Sequence, residues 1–160
     1  MIAKQNMTLI YGSSNDGLMG VIANSTLNNG GKVVGINTAY FDYCEQPQHV
    51  NYEYICLDTL EARQRALIDK ADAFVMFAGG FGTLFEYYHV INLIKIGIIE
   101  PKPLVVVNID KCFDEIIVSN KKLGELGLAS MVEFEEVVSS VDEIFPAILR
   151  SLEKCQNYQK

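Results

Sequence analysis

Short runs rich in β-branched and aromatic residues recur at helix-length intervals: Thr8 to Tyr11, Lys32 to Ile36, Tyr54 to Leu57, Ala73 to Phe77 and Leu104 to Asn108. They are apolar almost throughout and bounded by Gly, Asn or Asp, which suits strands buried on both faces of a parallel sheet. Between them, Asp16 to Asn29, Thr59 to Ala71, Thr83 to Ile96 and Lys111 to Leu123 carry apolar residues at helical spacing, and a last helix is expected near Val141 to Lys154. Strand and helix alternate, which predicts an α/β fold with a parallel sheet flanked by helices. The segment Asn37 to Asn51, with Pro47, is the least regular and reads as a loop over one edge. No repeat, low-complexity tract or linker is visible. A chain of 160 residues is the size of one core, so residues 1–160 are read as a single domain.

Composition narrows the function. Apolar residues make up 49% and charged residues 21%, an ordinary globular mix that excludes a disordered tail or a disulfide-dense mini-protein. The formal charge of −7 and the lack of a Lys/Arg cluster make nucleic acid an unexpected partner. Cys44, Cys56, Cys112 and Cys155 form no C-x-x-C pair, and neither His49 nor His89 stands at a zinc spacing from them, so neither a metal site nor a disulfide framework is expected. The first residues carry no apolar signal region, and the apolar stretch Leu84 to Ile99 is broken by Glu86, His89 and Lys95. A cytoplasmic protein with reduced thiols and no membrane segment is expected.

In an open parallel sheet, ligands bind beyond the carboxyl ends of the strands. Two of the turns there are glycine-rich. One is Gly12-Ser13-Ser14-Asn15-Asp16-Gly17-Leu18-Met19-Gly20, with hydroxyl and amide donors; the other is Ala78-Gly79-Gly80-Phe81-Gly82-Thr83. Each puts backbone N–H groups without Cβ obstruction at a helix N-terminus, where an anion such as a phosphate can be held. Together they suggest a nucleotide-sized anion site. The plainer reading is that the glycines only permit tight connections. Leu18 stands where a P-loop needs Lys, and the run from Gly80 lacks the third glycine of a dinucleotide fingerprint, so neither triphosphate hydrolysis nor a nicotinamide cofactor is favoured.

Two ionisable residues stand out. Glu86 lies three residues after Thr83, a spacing that predicts a capping box, and local spacing favours the cap over a carboxylate facing a sugar. Arg63 and Arg65 lie in the first turns of the helix from Thr59, where a cation opposes the helix dipole unless an anion sits nearby. The bland reading of Arg63 is a solvated side chain paired with Glu61 or Asp69.

Taken together, Tyr11-Gly12-Ser13-Ser14-Asn15-Asp16-Gly17-Leu18-Met19-Gly20, Arg63 upstream of Ala71-Asp72-Ala73-Phe74, and Gly79-Gly80-Phe81-Gly82-Thr83-Leu84-Phe85-Glu86 resemble the LONELY GUY family. These are cytokinin riboside 5′-monophosphate phosphoribohydrolases, long mislabelled "lysine decarboxylase". The likeness continues through Lys102-Pro103, Asn108 and Phe113-Asp114. It implies a Rossmann-like fold and hydrolysis of the base–ribose bond of AMP or an N6-modified nucleoside 5′-monophosphate, without cofactor or metal. It further implies Arg63 and Glu86 as the catalytic pair. Substrate would be held by Gly12, Ser13, Ser14, Gly17 and Met19 from one turn, and by Gly79, Gly80, Phe81, Gly82 and Thr83 from the other. A homodimer with its site near the interface is implied as well. Relative to the family, Ala78 replaces a proline, Gln64 replaces the lysine after the arginine, and Ser13 and Ser14 replace glycines. The resemblance also implies that the usual first strand–helix unit is lacking, so that either the chain is truncated or begins at a late start, or the sheet is rebuilt with help from a partner subunit. No lysine is marked for a pyridoxal Schiff base, which argues against the decarboxylase label. The alternative is a non-catalytic nucleotide- or cofactor-binding protein of the same fold.

Overall fold

A computed structural model describes residues 1–41, 46–130 and 132–158. Its α/β architecture is the expected one, with parallel strands alternating with helices. The chain divides into two compact units, Met1–Ala71 and Asp72–Lys160.

In the first unit, a 3-10 turn at Ala3–Gln5 precedes β1 (Thr8–Tyr11), α1 (Gly17–Asn28), β2 (Lys32–Thr38), β3 (Tyr52–Leu57) and α2 (Leu60–Lys70). The three strands are parallel in the order β1-β2-β3, with Tyr11 beside Gly35 and Gly35 beside Tyr54. As the central strand, β2 is the most buried, which explains its nearly unbroken apolar run. Ala23 and Leu27 of α1 close over Tyr11 and Val33, flanked by Leu9 and Tyr52. α1 ends because Gly30 takes a positive φ of 77°; the N–H groups of Gly30 and Gly31 then donate to the carbonyls of Leu27 and Thr26, both at 2.9 Å. α2 starts at Thr59, whose hydroxyl accepts from the Ala62 N–H at 3.1 Å. The segment read as a loop from Asn37 is shorter than expected. β2 runs on through Thr38, a 3-10 turn spans Ala39–Phe41, and β3 begins at Tyr52. Cys44 lies outside the described residues.

The second unit contains β4 (Phe74–Met76), α3 (Phe81–Lys95), β5 (Leu104–Val107), α4 (Asp114–Glu125), β6 (Glu135–Val138) and α5 (Ile144–Asn157). Its strands are parallel in the order β4-β5-β6. Val105, Val107, Val138, Ile144 and Ala147 form its core, where α5 packs on β5 and β6. A capping box between Ser140 and Glu143 precedes α5.

β6 was not expected from the sequence. It is a sheet edge, and its Glu135-Glu136 pair breaks the apolar signature. Both acids are answered from other elements: Glu136 by Arg150 at 2.9 Å and Lys154 at 2.6 Å, and Glu135 by the Tyr87 hydroxyl, which donates at 2.6 Å. Asn120 of α4 donates to the same Tyr87 oxygen at 3.1 Å and accepts from the Tyr88 hydroxyl at 2.8 Å. A buried polar chain thus ties α3, α4 and β6 together.

Burial lifts the Glu135 carboxyl above its ordinary 4.5, and the bond from Tyr87 offsets part of that rise. A raised carboxyl holds its proton more tightly in the folded than in the unfolded chain. Its contribution to stability is therefore complete below the ordinary value and lost as pH rises through the raised one. Denaturant titrations of wild type and Glu135→Gln between about pH 4 and pH 8 should show wild type losing stability relative to the variant as pH rises. A pH-independent difference would refute this origin.

Candidate functional site

The first glycine turn leaves the carboxyl end of β1 at Gly12 and enters α1 at Gly17, whose φ is 55°. Its centre is Ser13, a residue with a side chain in the left-handed region at φ 63° and only 1% exposed. That conformation costs roughly 1–2 kcal/mol for a residue other than glycine. Two side chains offset it. Ser13 Oγ donates to Gln46 Oε1 at 2.5 Å and lies 2.8 Å from the Tyr52 hydroxyl, while Gln46 Nε2 donates to the Ser13 carbonyl at 3.2 Å. At about 1 kcal/mol net per hydrogen bond, such contacts are enough to hold the turn. The Ser13 hydroxyl therefore faces inward. Ser14 Oγ accepts from the Asp16 N–H at 3.1 Å, and Met19 is partly exposed on α1. Burial pushes the Tyr11 phenol well above its ordinary range, and the Tyr52 phenol adds to the shift.

Arg63 lies on the first turns of α2 and reaches back to this turn. Its Nε donates to the Ile36 carbonyl at 3.0 Å and its Nη2 to the Gly12 carbonyl at 3.3 Å. The guanidinium lies so close to Gly12 that a Cβ there would overlap Nη2; the Met19 sulfur would be 3.7 Å away. Where the sequence suggests a solvated side chain beside Glu61 or Asp69, Arg63 makes these main-chain contacts. Asp69 is instead taken by Arg65 at 2.8 Å, an exposed i,i+4 pair. Arg63, Gly12, Ser13 and Met19 are thus brought together within one unit.

The second turn follows β4. The capping box expected between Thr83 and Glu86 is not formed. α3 begins at Phe81 with Gly80 as its N-cap residue, so Thr83 is already the third helical residue and Glu86 lies in the second turn, exposed. Thr83 packs its side chain over Gly79, which has no room for a Cβ. Gly80 and Gly82, by contrast, face open space, and Phe81 between them is 93% exposed. This leaves a helix N-terminus with accessible first-turn amides and no side-chain cap, which favours a bound anion. His89 stacks on Phe85 with ring centroids 5.6 Å apart, and His49 is exposed and accepts from the Asn51 N–H at 3.0 Å.

Among the described residues, no group of three or more His, Cys, Asp or Glu side chains is placed to hold a metal ion, and no helix is long and apolar enough to cross a membrane. The sequence reading missed Gln46 and Tyr52. The available signal was Gly35, a glycine inside a strand, which marks a close approach. A Cβ there would collide with the Tyr52 hydroxyl and the Ser13 side chain.

A family model described as "Possible lysine decarboxylase" matches residues 19–149. The cytokinin riboside 5′-monophosphate phosphoribohydrolase of Mycobacterium tuberculosis is 31% identical over 147 residues, covering 92% of this chain and 78% of that protein. This chain belongs to the LONELY GUY family. The cytokinin riboside 5′-monophosphate phosphoribohydrolase LOG2 of Arabidopsis thaliana is 29% identical over 153 residues, 96% of this chain and 70% of its own length. Another, from Rhodococcoides fascians, is 32% identical over 108 residues, 67% of this chain and 54% of its own length. These family members are phosphoribohydrolases, which are N-glycosyl hydrolases, and their names do not carry the decarboxylase description. Two solved structures share the fold. The molybdenum cofactor carrier protein of Chlamydomonas reinhardtii has a TM-score of 0.65 at 19% identity, covering 95% of this chain and 81% of that one. The molybdenum cofactor binding protein of Rippkaea orientalis has a TM-score of 0.66 at 20% identity, covering 94% and 81%.

The crowding at Gly12 yields a test. Gly12→Ala should displace the Arg63 guanidinium and lower stability by about 1.5–3 kcal/mol, the net contribution of a hydrogen bond from a charged donor. In NMR spectra the Arg63 Nε–H should shift and exchange at least about fivefold faster, the loss of one hydrogen bond. An unmoved resonance would contradict the contact.

Proposed function

We propose that this protein hydrolyses the base–ribose bond of AMP or a related N6-modified nucleoside 5′-monophosphate, releasing free base and ribose 5-phosphate. Family membership and the phosphoribohydrolase relatives support the reaction class. The observation that carries it is Arg63: a cation fixed by two main-chain carbonyls beside a glycine turn, at the carboxyl end of a parallel sheet, is suited to hold the 5′-phosphate and orient the substrate. In this reading residues 1–160 work as one nucleotide-binding domain. Gly12, Ser13, Ser14, Gly17 and Met19 serve the phosphate and ribose through one turn; Gly79, Gly80, Phe81, Gly82 and Thr83 serve them through the other. Ser13 contributes through its backbone, since its hydroxyl is engaged internally.

Cleavage breaks the C1′–N bond and leaves an oxocarbenium-like ribose. Water adds its oxygen to C1′, and a proton ends on the departing base. Glu86, exposed on the second turn of α3 and not engaged in a cap, stabilises that cation or orients the water. The chemistry calls for neither metal nor organic cofactor.

We also propose a cytoplasmic homodimer. Phe81, Phe85 and Tyr88 are exposed on α3 at i, i+4 and i+7, an apolar stripe of the kind that copies of a chain use to associate. Light scattering coupled to size exclusion should give twice the chain mass; a monomer at micromolar concentration would overturn it.

Adenine release from AMP is the decisive assay. Glu86→Gln and Arg63→Ala should each lower kcat/KM by about a hundredfold or more, with Arg63→Ala acting mainly through KM. Unchanged rates in both variants would remove the mechanism. Tight AMP binding by calorimetry with no base released would instead identify a non-catalytic nucleotide- or cofactor-binding protein.

A further inference from the structure

We propose that Gln46 and Tyr52 are positioning residues of the first glycine turn. They hold Ser13 in the left-handed conformation from which Gly12 directs its carbonyl to Arg63. The inference rests on the reading of that turn and Arg63 as the phosphate and ribose site, and extends it to residues that need not touch substrate.

Ser13 stands where the backbone favours glycine, at φ 63°, yet it is buried beyond the reach of bulk water. A buried hydroxyl needs partners. They come from 33 and 39 residues away: Ser13 Oγ, Tyr52 Oη and Gln46 Oε1 form a triangle with sides of 2.5, 2.6 and 2.8 Å. Gln46 Oε1 accepts from both hydroxyls, which uses both hydroxyl protons, and Ser13 Oγ and Tyr52 Oη meet at 2.8 Å as a contact without a proton of its own. The Gln46 amide closes the arrangement by donating to the Ser13 carbonyl, so both the side chain and the backbone of Ser13 are held. Gly35 of β2, lacking a Cβ, makes the space in which the Tyr52 hydroxyl and Ser13 meet. On the other side of the same turn, the Gly12 carbonyl accepts from Arg63. At residue 13 this chain carries a serine whose unfavourable φ is compensated by two side chains distant in the sequence.

This makes a specific demand: the partners matter only while residue 13 has a side chain. Gln46 is only partly buried, so Gln46→Ala is expected to fold. Backbone amides of residues 12–17 should then exchange about fivefold faster or more, the loss of a hydrogen bond's worth of restraint. KM for AMP should rise several-fold with kcat little changed. Ser13→Gly alone should keep the amide protection of residues 12–17, measured without substrate, because glycine holds the same conformation without partners. The double variant Gln46→Ala/Ser13→Gly should return to the Ser13→Gly values, because glycine adopts the conformation unaided. Tyr52→Phe should repeat the loss and be rescued by the same glycine. Additive behaviour, with the double variant as perturbed as Gln46→Ala, would overturn the proposal. Should wild type release no adenine, the enzymatic reading fails, and the exchange measurements, made without substrate, still decide the positioning role.

Discussion

A guanidinium bonded to two main-chain carbonyls is the interaction on which the first unit's functional edge depends. Arg63 sits near the start of a helix, where the dipole disfavours a cation by a few tenths to about 1 kcal/mol. Hydrogen bonds from a charged donor contribute more, about 1.5–3 kcal/mol, so the balance holds Arg63 against the ends of β1 and β2 rather than in solvent. Those contacts join three places remote in the chain: the turn after β1, the end of β2 and the first turn of α2. The position of the charge is therefore a property of the sheet and not of a flexible surface side chain.

The central strands β2 and β5 were legible because burial on both faces leaves the apolar runs Val33 to Ile36 and Leu104 to Val107, and the less buried β1, β3 and β4 were legible by their β-branched and aromatic residues. β6 was not, because its two acids are bonded by partners 14 to 48 residues distant, which no local window contains. The start of α3 was misread for a related reason. Thr-x-x-Glu is a cap only if Thr precedes the helix, and here Gly80 takes that place, three residues before Thr83, whose side chain instead packs over Gly79. At the candidate site, Arg63 could be singled out by its awkward place on the helix. Its partners could not, since carbonyls carry no sequence signature. The inward orientation of Ser13 was hidden in the same way.

The second unit secures its helices differently. Tyr87 sends its hydroxyl across to β6 and receives the amide of Asn120 from α4, so one buried tyrosine sets the roll of α3, on which Glu86 is the residue before it. An apolar contact would tolerate rotation and sliding; a directional polar one does not. Tyr87 thereby fixes which way that carboxylate leaves the helix.

Gly79, Gly80 and Gly82 stand almost side by side yet differ in what they answer to. The first is required by the protein's own threonine, and a methyl group there would disturb the fold before anything else was affected. The other two have empty space where a methyl would go. Among the described residues nothing would meet a methyl at either site, so intolerance to alanine there would gauge a molecule that approaches from outside them.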